Sequence, residues 1–367
     1  MTHYQRLAGL LLATLGGLAQ AQILIGQTTG VTGAVAATVR ETGLGASLYL
    51  DAVNARGGVG GEPVQLLTLD DKFDPKLAAA NARTLIEERK VVAMFMTRGT
   101  PHTEAVIPTL EQNGVPLIAP STGAMVLHVP VRKFVFNVRA TYQREAEMAI
   151  AHLASIGIQQ IAVLHVDDSF GLDGLEGAQR GLATARLQAA LVAKFDRNKP
   201  DFSGIAQSLS KSPVQAVMII GTGPAVVGGI RAIKAAGNKP QFVTLSNNAS
   251  GGFIQLLGED ASGVIVSQVL PNSMNVPLVR EASQLAKVRN IDDLSPAMLE
   301  GFASAKVLVE ALRRAGPKPT RERIQAALEG MNRFNLGGME ISYSTTNHTG
   351  LDFADLSIIG ASGKFRR

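Results

Sequence analysis

The chain has 367 residues, of which 46% are hydrophobic, enough for two domains with buried cores. Its formal charge of +5 is spread along the sequence, and 4 Tyr with no Trp offer few rings to stack on bases, so a nucleic-acid-binding role has little support. Cysteine is absent, which excludes disulfide bonds, thiol catalysis and a lipid anchor on an N-terminal cysteine.

Residues 1–21 have the pattern of a signal peptide. A weakly basic start is followed by an apolar run from Leu7 to Ala19, and Ala19-Gln20-Ala21 supplies the small residues expected before cleavage at Gln22. The apolar run is too short to span a bilayer, which needs about 20 residues, and no later segment is suitable either. We therefore expect an exported protein that is not inserted in the membrane, carries no lipid anchor and works in the periplasm.

Apolar strands alternate with amphipathic helices along the mature sequence. A strand at Ile23–Gln27 precedes a helix at Glu41–Asn54, in which Leu44, Leu48 and Ala52 recur at four-residue spacing. Further strands are expected at Val64–Leu69, Phe134–Val138, Gln160–His165, Ala190–Lys194, Val214–Ile220, Gln241–Leu245 and Gly263–Val269, with short ones near Glu340–Tyr343 and Leu356–Ile359. Further helices are expected at Pro75–Arg89, Gln143–Ser155, Leu172–Ala185, Phe202–Leu209, Pro224–Ala236, Val276–Lys287, Pro296–Arg314 and Thr320–Glu329. About a dozen strands are too many for one sheet, so the pattern predicts an α/β fold with two doubly wound parallel-sheet lobes.

The stretch from Val91 to Gly123 is the clearest candidate for a binding site. It reads as strand, polar loop, helix, strand and polar loop, and both loops follow the carboxyl ends of strands, where open α/β sheets bind ligands. The loops carry five hydroxyls, on Thr97, Thr100, Thr103, Ser121 and Thr122. The pattern favours a site for a small polar solute. The alternative is that these residues are ordinary helix caps and turn residues.

Signals for catalysis are weak. Asp70 and Asp71 could be an acid–base pair or metal ligands, but no histidine or third acid stands close by, so loop and cap roles are preferred. Gly221-Thr222-Gly223 follows a strand but lacks the third glycine of a dinucleotide-binding loop. We expect no enzyme activity, no metal and no cofactor.

Several motifs in order along the mature chain resemble the leucine/isoleucine/valine-binding protein family, which are type I periplasmic solute-binding proteins of ABC importers. The motifs are Asn54-Ala55-Arg56-Gly57-Gly58, Asp70-Asp71-x-x-Asp74-Pro75, Gly114-Val115-Pro116-Leu117-Ile118-Ala119-Pro120-Ser121, His165-Val166-Asp167-Asp168-Ser169-Phe170-Gly171 and Gly350-Leu351-Asp352-Phe353.

The resemblance implies a periplasmic binding protein type I fold, whose lobes are joined by a three-crossover hinge and close over a small-molecule solute. The crossovers fall near Ala140, Leu270 and Asn332. They divide the chain into a first lobe of residues 22–140 and 271–332 and a second lobe of residues 141–270 and 333–367. The resemblance also implies a monomer that delivers its solute to an ABC permease in the inner membrane. An extracytoplasmic sensor that presents the bound state to a membrane receptor is the alternative.

The resemblance also implies the ligand-binding residues. They are Thr100, Ser121, Thr122 and Gly123 for the solute carboxylate, and Phe170, Thr222, Gly223, Ser246 and Asn247 from the second lobe. The acid that pairs with the ligand ammonium in amino-acid-binding members aligns with Ser246. A buried ammonium without a carboxylate partner is costly, so the resemblance favours an organic acid, an amide or an aromatic acid.

Three further residues are left with two interpretations each. Arg98 or Arg139 could pair directly with a solute carboxylate, although a surface or hinge arginine is preferred for each. Tyr142, just past the first crossover, either faces the cleft or packs in the hinge.

Overall fold

The computed structural model describes residues 22–211 and 213–366, so the predicted signal peptide lies outside the described residues. The strands are β1 Ile23–Thr29, β2 Val64–Asp70, β3 Ala93–Phe95, β4 Leu117–Ile118, β5 Val135–Phe136, β6 Ile161–Val166, β7 Leu191–Phe195, β8 Ala216–Ile220, β9 Gln241–Thr244, β10 Ile265–Gln268, β11 Phe334–Asn335, β12 Glu340–Ile341, β13 Asp355–Ile359 and β14 Phe365–Arg366. The α-helices are α1 Ala36–Asn54, α2 Pro75–Arg83, α3 Thr100–Asn113, α4 Tyr142–Ser155, α5 Ser169–Thr184, α6 Ser203–Leu209, α7 Gly223–Ala235, α8 Gly251–Leu257, α9 Pro277–Val288, α10 Pro296–Ala315 and α11 Arg321–Glu329.

The first lobe is built on a parallel five-stranded sheet in the order β2-β1-β3-β4-β5. Successive side chains of a strand point to opposite faces, so Met94 and Leu117 pack beneath α2 and α3 while Phe95 and Ile118 pack against α1 and α10. Both faces of the sheet are therefore covered, and its polar loops are left at the strand ends.

The second lobe is built on a seven-stranded sheet in the order β14-β13-β10-β9-β8-β6-β7. Strands β6 to β10 are parallel, whereas β13 runs antiparallel to β10 and β14 antiparallel to β13. Every residue of β6 and β8 is buried, because helices cover both faces of the sheet. The two-lobe α/β prediction is confirmed, with an antiparallel edge added to the second sheet.

The chain passes three times between the lobes. Val138 packs in the first core and Tyr142 in the second, and Leu270 packs in the first core just after β10. The third crossover lies between Leu351, which packs in the first core, and β13. The prediction of a crossover near Asn332 is wrong.

The segment after Asn332 stays in the first lobe because it forms a small hairpin, β11–β12, that buries apolar side chains there. Leu336 and Ile341 are fully buried in the first core, and the Tyr343 hydroxyl donates a 2.6 Å hydrogen bond to the carbonyl of Asn137. Two-residue strands carry too little periodicity to be recognised in a sequence.

Local signals explain which helix starts were predictable. Asp74 caps α2 by accepting from the Lys76 N–H at 2.7 Å, with Pro75 in the first position, as expected. Asp70 and Asp71 accept from nearby backbone N–H groups, which confirms their loop role. Helix α1 begins at Ala36, earlier than expected, and has no side-chain cap that could have marked its start.

The lobes contact each other along a seam that runs past the strand ends. On one side, the Glu41 carboxylate accepts from the backbone N–H groups of Gly251 and Gly252 at 3.0 and 2.8 Å, so a first-lobe acid caps helix α8 of the second lobe. On another side, the Ser169 hydroxyl donates to Glu104 at 2.6 Å. None of the helices in the described residues is long and apolar enough to cross a membrane.

Candidate functional site

The two hydroxyl-bearing loops lie side by side at the first-lobe face of the seam. The Ser121 N–H donates to the Thr97 carbonyl at 2.8 Å, and the hydroxyls of Thr100 and Thr122 share a 2.8 Å hydrogen bond. A second pair, Thr97 and Thr103, lies 2.9 Å apart, and all these side chains are buried. The structure thus brings the predicted loops together, and most of their hydroxyls also bond to each other.

Arg98 crosses the seam from the first of these loops. Its guanidinium donates to the Ser121 hydroxyl at 2.9 Å and to the backbone carbonyl of Asn247, in the second lobe, at 2.7 Å. The side chain is only 4% exposed, so Arg98 is not a surface arginine. The Ser121 hydroxyl in turn donates to Glu300 of α10 at 2.8 Å. One hydroxyl therefore separates a buried cation from a buried carboxylate.

Arg139 occupies the first crossover and is also buried, at 2% exposure. It forms an ion pair with Glu145 in the first turn of α4 and donates to the Ser246 hydroxyl at 2.8 Å. Burial acts to lower the pKa of Arg139, but Glu145, Tyr142 and Glu300 together outweigh it and raise the pKa above its usual value. Glu145 also accepts from the Ser246 N–H at 2.9 Å and from the Ser267 hydroxyl. Arg139 is thus a hinge residue that reaches the predicted site.

Tyr142 and Phe170 form an aromatic wall beside the arginines. Their ring centroids are 4.8 Å apart, and the Arg139 guanidinium lies 4.5 Å from the centroid of Tyr142. Both rings also belong to the second-lobe core. Phe170 is held at the start of α5 because Asp168 accepts from its N–H at 3.0 Å.

The second lobe presents a turn, Ser246–Asn248, directly after β9. The Asn247 side-chain amide donates to the Gly221 carbonyl at 2.9 Å, so its Oδ1 points away from that carbonyl. Both Asn247 Oδ1 and Arg139 Nη1 are buried without a hydrogen-bond partner. A polar solute could supply both partners.

Three predicted residues remain: Thr222, Gly223 and Gly123. Thr222 and Gly223 are half-buried. Gly223 lines a small cavity between the lobes together with Arg98 and Asn247. Gly123 packs on the first crossover, where an added Cβ would lie 2.5 Å from the Ala140 carbonyl oxygen. Gly123 therefore serves close packing of the hinge.

Two acids to which the sequence analysis did not point lie beside the predicted site. Glu145 and Glu300, on helices far apart in the sequence, place two buried carboxylates beside the site, although Glu145 is already paired with Arg139. With Arg98 and Arg139, the four buried charges sum formally to zero. Sequence inspection missed both acids because no local motif marks them. Within the described residues, no group of three His, Asp or Glu side chains could hold a metal ion.

Comparison with known proteins gives a consistent result. The sequence profile of the periplasmic binding protein family matches residues 22–353. The Leu/Ile/Val-binding protein of Escherichia coli is 23% identical over 316 residues, which cover 84% of each chain.

Two crystal structures are similar over nearly the whole chain. A substrate-binding periplasmic protein from Ralstonia solanacearum superposes with a TM-score of 0.84 at 30% identity, covering 94% of this chain and 99% of that one. A possible leucine/isoleucine/valine-binding protein from Rhodopirellula baltica superposes with a TM-score of 0.86 at 28% identity, covering 95% and 97%. The chain therefore belongs to the periplasmic binding protein family, as a type I member of its leucine/isoleucine/valine-binding group.

Proposed function

We propose that this protein is the periplasmic solute-binding component of an ABC importer. It traps a small polar solute, an organic or aromatic acid, an amide or an amino-acid-like molecule, between its two lobes and delivers it to a permease in the inner membrane. The observation that carries the proposal is the buried polar cluster at the seam, to which both lobes contribute.

The position of this cluster supports binding over a purely structural role. Arg98 and Glu300 belong to the first lobe, but the guanidinium of Arg98 ends on the Asn247 carbonyl of the second. Burying charge is costly unless the groups are well paired. A solute that hydrogen bonds to Arg139 Nη1 and Asn247 Oδ1 would satisfy the unpartnered atoms of the cluster.

The seam also supports a hinged trap. The Glu41 and Ser169 contacts join the lobes through a few polar bonds between side chains and main chain. A solute shifts such a closing equilibrium only by the contacts it makes in the closed state. Residues that touch the solute from both lobes, such as Ser121 and Ser246, would make closure depend on the solute.

The relatives narrow the class of solute. The E. coli relative is named for the binding of leucine, isoleucine and valine. In this chain Ser246 stands where the resemblance implies an acid, and the nearby Glu145 carboxylate is neutralised by Arg139. This difference favours solutes that resemble amino acids but do not depend on a full ammonium partner in the second lobe.

A thermal-shift screen of residues 22–367 against amino acids, organic acids, aromatic acids and amides tests the proposal. A ligand at 100 times its Kd stabilises the folded state by about 2.7 kcal/mol, a readily measured shift in Tm. We expect at least one class to give such a shift, and cells lacking the gene to lose uptake of that solute. No shift with any class at saturating concentration would contradict solute binding, and unchanged uptake would contradict the transport role.

A further inference from the structure

The two buried arginines of the cluster have different partners. Arg139 is paired with the Glu145 carboxylate. Arg98 bonds to two neutral oxygens, Ser121 Oγ and the Asn247 carbonyl, and forms no ion pair with any residue that the structure describes. A buried guanidinium is stabilised most by a carboxylate, which matches its paired N–H donors. Within the part of the chain that the structure describes, Arg98 therefore lacks the anionic partner that would stabilise a buried guanidinium most.

Both guanidiniums converge on one place. Arg139 binds the Ser246 side chain and Arg98 the Asn247 main chain, so they contact successive residues of one turn. The Arg139 guanidinium lies 4.5 Å from the centroid of the Tyr142 ring. Burial raises the pKa of the Tyr142 phenol, and the charges of Arg139 and Arg98 both oppose that rise. Arg139 Nη1 adds a buried N–H donor without a partner. The turn at Ser246 and Asn247 is thus approached by the N–H donors of two guanidiniums, one of which has an unpartnered nitrogen.

The threonine hydroxyls of the two loops are less available to a solute carboxylate than the arginines. Thr100 and Thr122 bond to each other, and so do Thr97 and Thr103, which leaves these hydroxyls already partnered. Of the two arginines, Arg139 has an unpartnered Nη1, and Arg98 has hydrogen-bond partners but no carboxylate among them.

We propose that Arg98 and Arg139 together hold the carboxylate of the solute, with one oxygen on Arg139 Nη1 and the other on the Arg98 guanidinium. The inference rests on the proposed function and narrows its solute to a small monocarboxylate. Asn247 Oδ1 adds an acceptor for a hydroxyl or N–H group of the same solute. Glu300, one hydroxyl away from Arg98, would repel a second carboxylate placed beside it.

Matched acid and amide probes test this on the unaltered protein. Phenylacetate and phenylacetamide, 4-methylpentanoate and its amide, and leucine and leucinamide each differ at the carboxyl group. Calorimetric titration should show the acid of the best-bound pair binding about 30-fold more tightly than its amide, the effect of a charged hydrogen-bonding partner. Succinate should bind more weakly than that acid.

Arg98→Gln supplies the second measurement. In this variant the affinities for the acid and its amide should differ by no more than about threefold. Arg98→Lys, which keeps the charge, should retain part of the preference for the acid. Arg180→Gln is the matched control, because Arg180 is exposed and pairs with Glu176 on the surface of α5. Its ratio should equal that of the parent.

The outcomes separate the two proposals. If an acid and its amide bind the parent equally well, or if Arg98→Gln keeps the full ratio, the arginine assignment is wrong while solute binding stands. If neither member of any pair binds and the broader screen also finds no ligand, both proposals fail. The acid–amide comparison needs no variant, so a folding defect in Arg98→Gln would not remove the test.

Discussion

The two lobes bring the same kinds of charge to the seam but arrange them differently. In the first lobe, the Ser121 hydroxyl stands between Arg98 and Glu300, so the cation and the carboxylate do not touch. Beside the second lobe, Arg139 and Glu145 form a direct ion pair, and Glu145 also holds Ser246 and Ser267. Direct pairing gives Arg139 and Glu145 a structural role in the hinge and leaves Arg139 Nη1 unpartnered, whereas Arg98 is separated from Glu300 by a hydroxyl and has no carboxylate partner among the described residues. The difference predicts stability effects at Glu145 and binding effects at Ser121.

The largest expected effect is loss of stability in Glu145→Ala. The substitution leaves Arg139 buried without its counter-ion, and breaking a buried ion pair from one side typically costs about 3–5 kcal/mol of unfolding free energy. Guanidinium chloride unfolding of parent and variant measures the change. Glu176→Gln, which removes an exposed acid of α5, is the control and should change little. Equal stability of Glu145→Ala and the parent would contradict the structural role of the pair.

Two buried groups, His102 in the first lobe and Asp173 in the second, should contribute to the pH dependence of stability with opposite signs. Burial lowers the pKa of His102 to about 4, so between pH 6.5 and 4 the unfolded state binds the extra proton and stability is lost as pH falls. Burial raises the pKa of Asp173 to about 6, so between pH 6 and 3.8 the folded state binds the extra proton and stability is gained as pH falls. Each shift corresponds to about 3 kcal/mol.

Single variants should separate these opposing contributions. His102→Gln should make unfolding free energy rise as pH falls through this window, relative to the parent, and Asp173→Asn should make it fall more steeply. Urea unfolding at intervals from pH 4 to 7 measures both slopes. Two variants with parallel pH profiles would contradict the assignment.

Ser121→Ala tests the hydroxyl bridge. Without it, Arg98 loses one oriented partner and Glu300 loses its donor, so the solute should bind about 10-fold more weakly. Unfolding free energy without solute should fall by about 1–3 kcal/mol, because Arg98 and Glu300 each lose a buried hydrogen-bond partner. Ser155→Ala, at the end of α4 and away from the seam, should leave the Kd unchanged. An unchanged Kd for Ser121→Ala would remove this hydroxyl from the site.

The smallest expected effect is at the edge of the seam. Glu41→Gln weakens the cap that the first lobe provides for helix α8, so the closed form should release solute about 2–5-fold faster. Stopped-flow displacement measures this rate, with Glu111→Gln near the end of α3 as an exposed control. A slower release would show that this contact opposes closure.

Most of the fold could be predicted because long apolar strands and capped helices carry strong local signals, as at Asp74 and Pro75. The third crossover could not, because the hairpin that holds the chain in the first lobe has two-residue strands. The loop residues Thr100 and Ser121 were found because they follow strands. Glu145 and Glu300 were missed because the residues that join them to the site, Ser246 and Ser121, are 101 and 179 positions away in the sequence.

The most direct test of the account is a crystal structure of residues 22–367 with the acid that binds most tightly. We expect the acid between the lobes, with its carboxylate oxygens about 2.7–2.9 Å from the guanidinium nitrogens of Arg98 and from Arg139 Nη1. An acid bound outside the seam, or a carboxylate held by Thr100 and Thr122 with both arginines unchanged, would contradict it.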